Sequence, residues 1–187
     1  SDAKARQLFE AGKLDVFMNA NTQDLVTARA ASAGKVRVEQ YPYLATYYLG
    51  FNIKRAALKD AALRKALSAV IDREGLPSVL QGGQQLATSF VPPGMQGYVP
   101  PSLAPLSLHE ARAVLAKAGY ADGHGFPRLS LWVAKFDGAP ALAETLVKNF
   151  NEKLGVTVEA KSGTPAEYQR ALAEGKADLF VRHWGAD

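Results

Sequence analysis

At 187 residues the chain is long enough for one full domain with an appendage. Its 48% hydrophobic and 21% charged content excludes wholesale disorder. The absence of cysteine excludes disulfides, thiolate metal sites and thiol nucleophiles together. A net charge of +4 invites a nucleic-acid partner, but Lys and Arg are scattered in runs no longer than Lys54-Arg55; a mildly basic solvated surface is expected, and no nucleic acid.

No apolar run approaches the roughly 18 residues that span a bilayer, and no charged-then-apolar signal segment opens the sequence. The expectation is a soluble chain, compatible with export.

The first predicted helix runs from Ala3 to Ala11, with Leu8 and Phe9 on its apolar side and Gly12 as its stop. Leu14 to Met18 reads as a short strand. Thr22-Gln-Asp-Leu25 opens a second, weaker helix ending near Gly34, and Lys35 to Glu39 alternates as a half-buried strand does. Tyr43 to Asn52 is rich in β-formers. Asp60 fits an N-cap for a helix running to Asp72, whose Leu63, Leu67, Val70 and Ile71 share one side. A further turn or two, Gly75 to Leu80, stops at Gly82-Gly83.

Residues 84 to 106 hold no period but contain Pro92-Pro93-Gly94, Gly97 and Pro100-Pro101, which predicts a long, stiffened loop. Loops of that length inside a domain are usually functional or drawn across a surface. Ser107-Leu-His-Glu110 has the capping-box pattern for a helix that ends before Gly119.

The final third alternates regularly. Leu129 to Val133 is a predicted strand, and Pro140 to Leu154 a helix with Leu142, Leu146, Phe150 and Leu154 one turn apart. Val156 to Ala160 is a second strand, Thr164-Pro-Ala-Glu167 opens a helix ending at Gly175, and Asp178 to Arg182 is a third strand. Strand, helix, strand, helix, strand with tight connections predicts parallel pairing and right-handed crossovers. Open sheets of this kind bind ligands beyond the carboxyl ends of their strands. The third strand runs into Trp184-Gly-Ala-Asp187, so these residues fall where such a site would be.

The three histidines, His109, His124 and His183, lack any metal-ligand spacing, so separate structural roles and no metal are expected. Gly82-Gly83 and Gly123-His-Gly125 read as turns, because the lysine-serine step and third glycine of phosphate loops are missing. No GxSxG elbow occurs, and neither catalysis nor a cofactor is expected. Asp187 at a strand end suits a cationic group through charge-assisted hydrogen bonds, and Trp184 suits an apolar or cationic ligand part. The alternative is a capping carboxylate beside a core tryptophan, and spacing alone does not separate the two.

Several motifs, in order, resemble one family. They are Ala11-Gly-Lys-Leu-Asp15, Thr46-Tyr-Tyr-Leu-Gly-Phe-Asn52, Leu63-Arg-Lys-Ala-Leu67 with Val70-Ile-Asp-Arg-Glu74, and Val91-Pro-Pro-Gly94. The most specific is Ala118-Gly-Tyr-Ala-Asp-Gly-His-Gly-Phe-Pro127; Ala177-Asp-Leu-Phe180 with Trp184-Gly-Ala-Asp187 completes the set. Together they resemble the peptide- and nickel-type solute-binding proteins of bacterial ABC importers, family 5, which capture a ligand between two lobes.

The resemblance implies an α/β, periplasmic-binding-protein-like lobe with a small, largely parallel sheet flanked by helices. It implies that residues 1–41 are the tail of the first lobe and crossover, and that 42–187 are most of the second ligand-binding lobe, truncated at its C-terminus. Asp187 would take a peptide's α-ammonium, Trp184 would line the cleft, and Tyr43 and Tyr48 would approach the ligand. The backbone at His183 and Gly185, beside that tryptophan, would pair with an extended peptide. The implied partners are a peptide or other small solute and, for the full-length protein, a membrane permease, in the periplasm or at the cell surface.

Gly50, Pro165, Leu172 and Val181 depart from residues that some oligopeptide binders carry, which leaves peptide length open. Two rival readings are a ligand-sensing domain of a cytoplasmic regulator with the same fold and a small α/β enzyme. A lipoprotein signal in the flanking sequence would favour import, and a helix-turn-helix would favour regulation.

Overall fold

The computed structural model describes residues 2–18, 20, 24, 27–28, 36–39, 43–80, 84–99, 104–135 and 138–185. The chain divides into two units, residues 1–41 with 81–84, and residues 42–80 with 85–187.

In the first unit, helix α1 (Asp2–Glu10) ends in a left-handed Gly12, with Gly12 N–H bonded to the Phe9 carbonyl and Lys13 N–H to the Leu8 carbonyl. Phe9 packs on Phe17, with ring centroids 6.2 Å apart. The expected strands at Leu14–Met18 and Lys35–Glu39 do not form: the described residues there are irregular, and Val16 and Met18 are exposed. A strand needs a neighbour's ladder to take its backbone groups, and no strand of this unit is present among the described residues. Of the expected second helix, Asp24, Thr27 and Ala28 are helical, and the remainder lies outside the described residues.

The second unit contains β1 (Ala45–Phe51), α2 (Ala56–Lys59), α3 (Ala61–Ala69), α4 (Leu76–Leu80), α5 (Leu108–Lys117), a 3-10 turn (Ala121–Gly123), β2 (Leu129–Ala134), α6 (Ala139–Leu154), β3 (Val158–Gly163), α7 (Pro165–Ala173) and β4 (Leu179–Gly185). The helices start where side chains satisfy orphan N–H groups. Asp60 accepts from Ala62 N–H at 2.7 Å, and reciprocal capping boxes join Ser107 to Glu110 and Thr164 to Glu167. Helix α3 stops at Ala69, short of Asp72, and the ammonium of Lys153 takes the carbonyl of Val70 at 3.0 Å.

The strands form one sheet in the order β1-β4-β2-β3, parallel for β4-β2 and β2-β3 and antiparallel for β1-β4. β3 begins at Val158, two residues later than expected, because Val156 N–H bonds back to the Phe150 carbonyl while its side chain enters the core. β4 runs on to Gly185 because β1 supplies a partner as far as Ala45.

Alternation along β2 sends Leu129, Leu131 and Val133 into the core beside Leu142, Leu146, Phe150 and Leu154 of α6. Trp132 points to the other face, where α7 packs and Glu167 lies over Gly163. Gly50 lies under a neighbouring ring. A Cβ there would lie 2.2 Å from the Phe180 ring, which covers it from the neighbouring strand.

Candidate ligand-binding site

The geometry of the site follows from the β1-β4 ladder. Its register sets Ala45 opposite Gly185, Thr46 opposite Trp184, Tyr47 opposite His183 and Tyr48 opposite Arg182. Opposed residues of an antiparallel pair share a face. Thr46, Tyr48, Arg182 and Trp184 therefore occupy one face, and Tyr47 and His183 the other, where their rings meet at 5.5 Å.

The same ladder shows which backbone groups are free. Asn52 N–H donates to the Asp178 carbonyl at 2.8 Å, so every second pair from there is a hydrogen-bonded one: 50/180, 48/182 and 46/184. Val181, His183 and Gly185 consequently turn their N–H and C=O groups to the opposite edge of β4. β2 covers that edge only through Leu131–Leu179 and Trp132–Phe180, and beyond Phe180 the two strands part. The hydroxyl of Tyr168, from α7, enters the gap and donates to the Val181 carbonyl at 2.6 Å. Burial raises the pKa of Tyr168 above its ordinary value; the charge of Arg182 opposes the shift and Tyr48 adds to it. His183 and Gly185 have no strand partner on that edge among the described residues.

Aromatic side chains line the same end. Phe90, from the irregular segment 84–99, lies edge-on to Tyr48 at 5.1 Å and 5.6 Å from Trp184. Tyr43 precedes β1 in a tight bend, its carbonyl accepting from Ala45 N–H at 2.7 Å. Its hydroxyl lies 3.5 Å from where a Cβ on Gly185 would be.

Of the six residues singled out from sequence, the structure brings Tyr43, Tyr48, Trp184 and Gly185 together at the carboxyl end of β4. It turns the His183 side chain to the other face while leaving its backbone on the open edge. Asp187 lies outside the described residues. Sequence reading missed Phe90. The proline-rich loop was recognisable, but no period tells which of its residues returns to the sheet.

A second, open depression sits at the amino ends of the parallel strands, lined by Arg55, Arg128, Trp132, Lys161, Lys176 and Asp178 among others. Its cations are largely engaged: Arg55 pairs with Asp178, Lys176 with Glu174 at 2.6 Å and Lys161 with Glu159 at 3.9 Å. It lies at the opposite end of the sheet from Trp184. The open edge of β4 is the better-formed candidate, because it joins backbone groups without a strand partner among the described residues to an aromatic wall.

A family model, that of the bacterial extracellular solute-binding proteins, family 5 (middle), matches residues 1–187. The chain belongs to that family. Its relatives include heme-binding protein A of Haemophilus influenzae, 25% identical over 185 residues, which are 95% of this chain and 33% of the relative. The probable deoxycholate-binding periplasmic protein YgiS of Escherichia coli is 26% identical over 184 residues, 95% of this chain and 34% of the relative. The periplasmic murein peptide-binding protein MppA of Escherichia coli is 29% identical over 153 residues, 78% of this chain and 28% of MppA. In a solved structure of MppA the aligned region has a TM-score of 0.79 at 26% identity, covering 98% of this chain and 37% of that one. The chain thus spans about a third of the length of these relatives.

Family 5 consists of solute-binding proteins, not enzymes, and neither the regulator reading nor the enzyme reading gains support from these relatives. The mixed sheet flanked by helices is that of a periplasmic-binding-protein lobe. Among the described residues no helix is long and apolar enough to cross a membrane.

Proposed function

We propose that residues 42–187 form most of the second ligand-binding lobe of an ABC-importer solute-binding protein, and that residues 1–41 are the tail of its first lobe and the crossover. The whole protein captures a peptide, or a similar small solute, outside the cytoplasm and delivers it to a membrane permease. One observation carries this reading. β4 offers the N–H and C=O groups of His183 and Gly185 on an edge that no described strand occupies, next to the indole of Trp184. An extended peptide adds to such an edge as a further strand, with main-chain bonds giving affinity and side-chain pockets giving selection.

In this reading Asp187 receives the α-ammonium of the solute, Trp184 and Tyr48 line the cleft, and Tyr43 closes its rim. Relatives named for heme and deoxycholate favour a second reading, in which a non-peptide amphiphile lies against the aromatic wall.

Calorimetry on the full-length protein with dipeptides through pentapeptides, and with hemin and deoxycholate in parallel, tests both. Asp187→Ala is expected to weaken free-amine peptides by about tenfold or more, as the loss of a charge-assisted bond does, and to leave N-acetylated peptides almost unchanged. No binding by any peptide removes the peptide reading, and equal losses for both peptide classes remove the role of Asp187.

A further inference from the structure

Phe90 occupies an unusual position. Its ring bridges Tyr48 and Trp184, yet 52% of the residue remains exposed. A phenylalanine that merely plugged the space under a loop would be covered, since full burial of an aromatic side chain is where its stabilisation comes from. Here the protein groups three rings, one pair edge-on and the other tilted, and leaves Phe90 half exposed.

The loop that carries Phe90 is fixed rather than draped. The hydroxyls of Thr88 and Tyr98 meet at 3.1 Å, Tyr98 N–H donates to the Met95 carbonyl at 3.1 Å, and Pro92 is buried. Gly94, at φ +98, comes close enough to Leu44 that a Cβ would lie 3.2 Å from that side chain. The segment therefore closes on itself and abuts the residue just before β1. Restraint of this kind prepays the ordering of a contact side chain, which is what a selective pocket needs.

Charge on the same face points the same way. Arg182 stands directly across the ladder from Tyr48, is exposed, and has no ion-pair partner among the described residues. Its cation disfavours a cationic group beside the rings.

We infer that Phe90, with Tyr48 and Trp184, forms the wall that selects an apolar, ring-bearing side chain of the bound solute and rejects a cationic one. This rests on the peptide-binding reading above and extends it to a side-chain class. The free edge of β4 bonds the solute's backbone whatever its sequence, and the ring wall discriminates among side chains.

The test is calorimetry on the full-length protein with Ala-Ala-Ala and with alanine tripeptides bearing one Phe or one Lys at each position. At one position the wild type is expected to prefer Phe over Ala by about tenfold, the scale of a well-packed aromatic contact, and to bind Lys more weakly than Ala. Phe90→Ala is expected to cut the Phe preference over Ala to about twofold or less, and Phe90→Leu to fall between. Three results overturn the inference: a wild type that binds Ala-Ala-Ala without preferring Phe, a preference surviving in Phe90→Ala, or equal loss for all peptides in both variants. A wild type that binds none of the tripeptides overturns the peptide reading and the inference with it.

Discussion

The most specific motif in the sequence, Ala118 to Pro127, has a steric reason that yields a quantitative prediction. Gly155, at φ +67, caps α6, and a Cβ built on it would lie 2.1 Å from the carbonyl oxygen of Asp122. Reciprocally, a Cβ on Gly123 would lie 2.3 Å from the carbonyl oxygen of Gly155. Two backbones meet here with no room for a side chain between them. Gly155→Ala incurs a left-handed-backbone penalty of about 1 kcal/mol. It also forces the two segments apart by close to an ångström, because Cβ contacts below 3.0 Å essentially never occur. Overpacking of that order costs about 1–3 kcal/mol, for an expected loss of about 2–4 kcal/mol.

Gly119 supplies the internal reference. It also has a positive φ, +88, but nothing lies within 4 Å of its Cβ position, so Gly119→Ala pays the backbone penalty alone. Urea unfolding of both variants in the full-length protein isolates the difference as a shift in midpoint at constant slope. Equal losses for the two variants would refute the backbone-to-backbone contact.

Two further predictions concern stability. Asp178 is buried, accepts from Ser130 N–H at 2.8 Å and pairs with Arg55, so Asp178→Ala strands a partly buried donor and a guanidinium. The expected cost is about 2–3 kcal/mol, below the usual figure for a broken buried pair because the Arg55 side chain is half exposed, and a urea midpoint unchanged from wild type would contradict it. Bonds from Ser107 hold Glu110, and bonds from Thr164 hold Glu167, below the ordinary glutamate range. A carboxylate with a depressed folded pKa lends stability that is complete above its unfolded value, about 4.3, and is lost as pH falls through the lower folded one. Melting temperature should therefore drop more steeply on acidification in the wild type than in Glu110→Gln/Glu167→Gln, and parallel acid profiles would count against the capping boxes.

What was legible in the sequence was what local chemistry determines. Ser107 with Glu110 and Thr164 with Pro165 and Glu167 announce helix starts regardless of context, and both helices begin where those residues put them. Leu142, Leu146, Phe150 and Leu154 announce a buried helical face in the same way. Strand ends were not legible, because they depend on a partner far away in sequence. β4 gained His183, Trp184 and Gly185 from β1, and β3 lost Val156 to the cap of α6. For the same reason the alternating segment near residue 37 read as a strand and is not one. Tyr48 was found through motif resemblance, and Trp184 both by its place after the third predicted strand and by that resemblance. Phe90 had no such signal, since a loop without periodicity does not announce which ring it returns to the sheet.

The two ends of the sheet are stitched unequally, and the strand pairing explains both. At the amino ends of the parallel strands, Asp178 and its neighbours tie β1, β2 and β4 together: Asn52 bonds the Asp178 and Ala177 carbonyls, while Ser130 bonds the Asp178 carboxylate through both N–H and hydroxyl. No comparable stitch is present at the carboxyl ends among the described residues. There β2 leaves β4 after Phe180, and a single side-chain hydroxyl, that of Tyr168, takes the Val181 carbonyl at the start of the gap. A sheet zipped at one end and twisted along its length opens at the other, and the opening exposes alternate backbone groups of one strand. The open edge at the carboxyl end thus follows from unequal strand pairing. Replacing Asp178 should loosen the amino end without altering which groups of His183 and Gly185 face the gap, because the β1-β4 register fixes those.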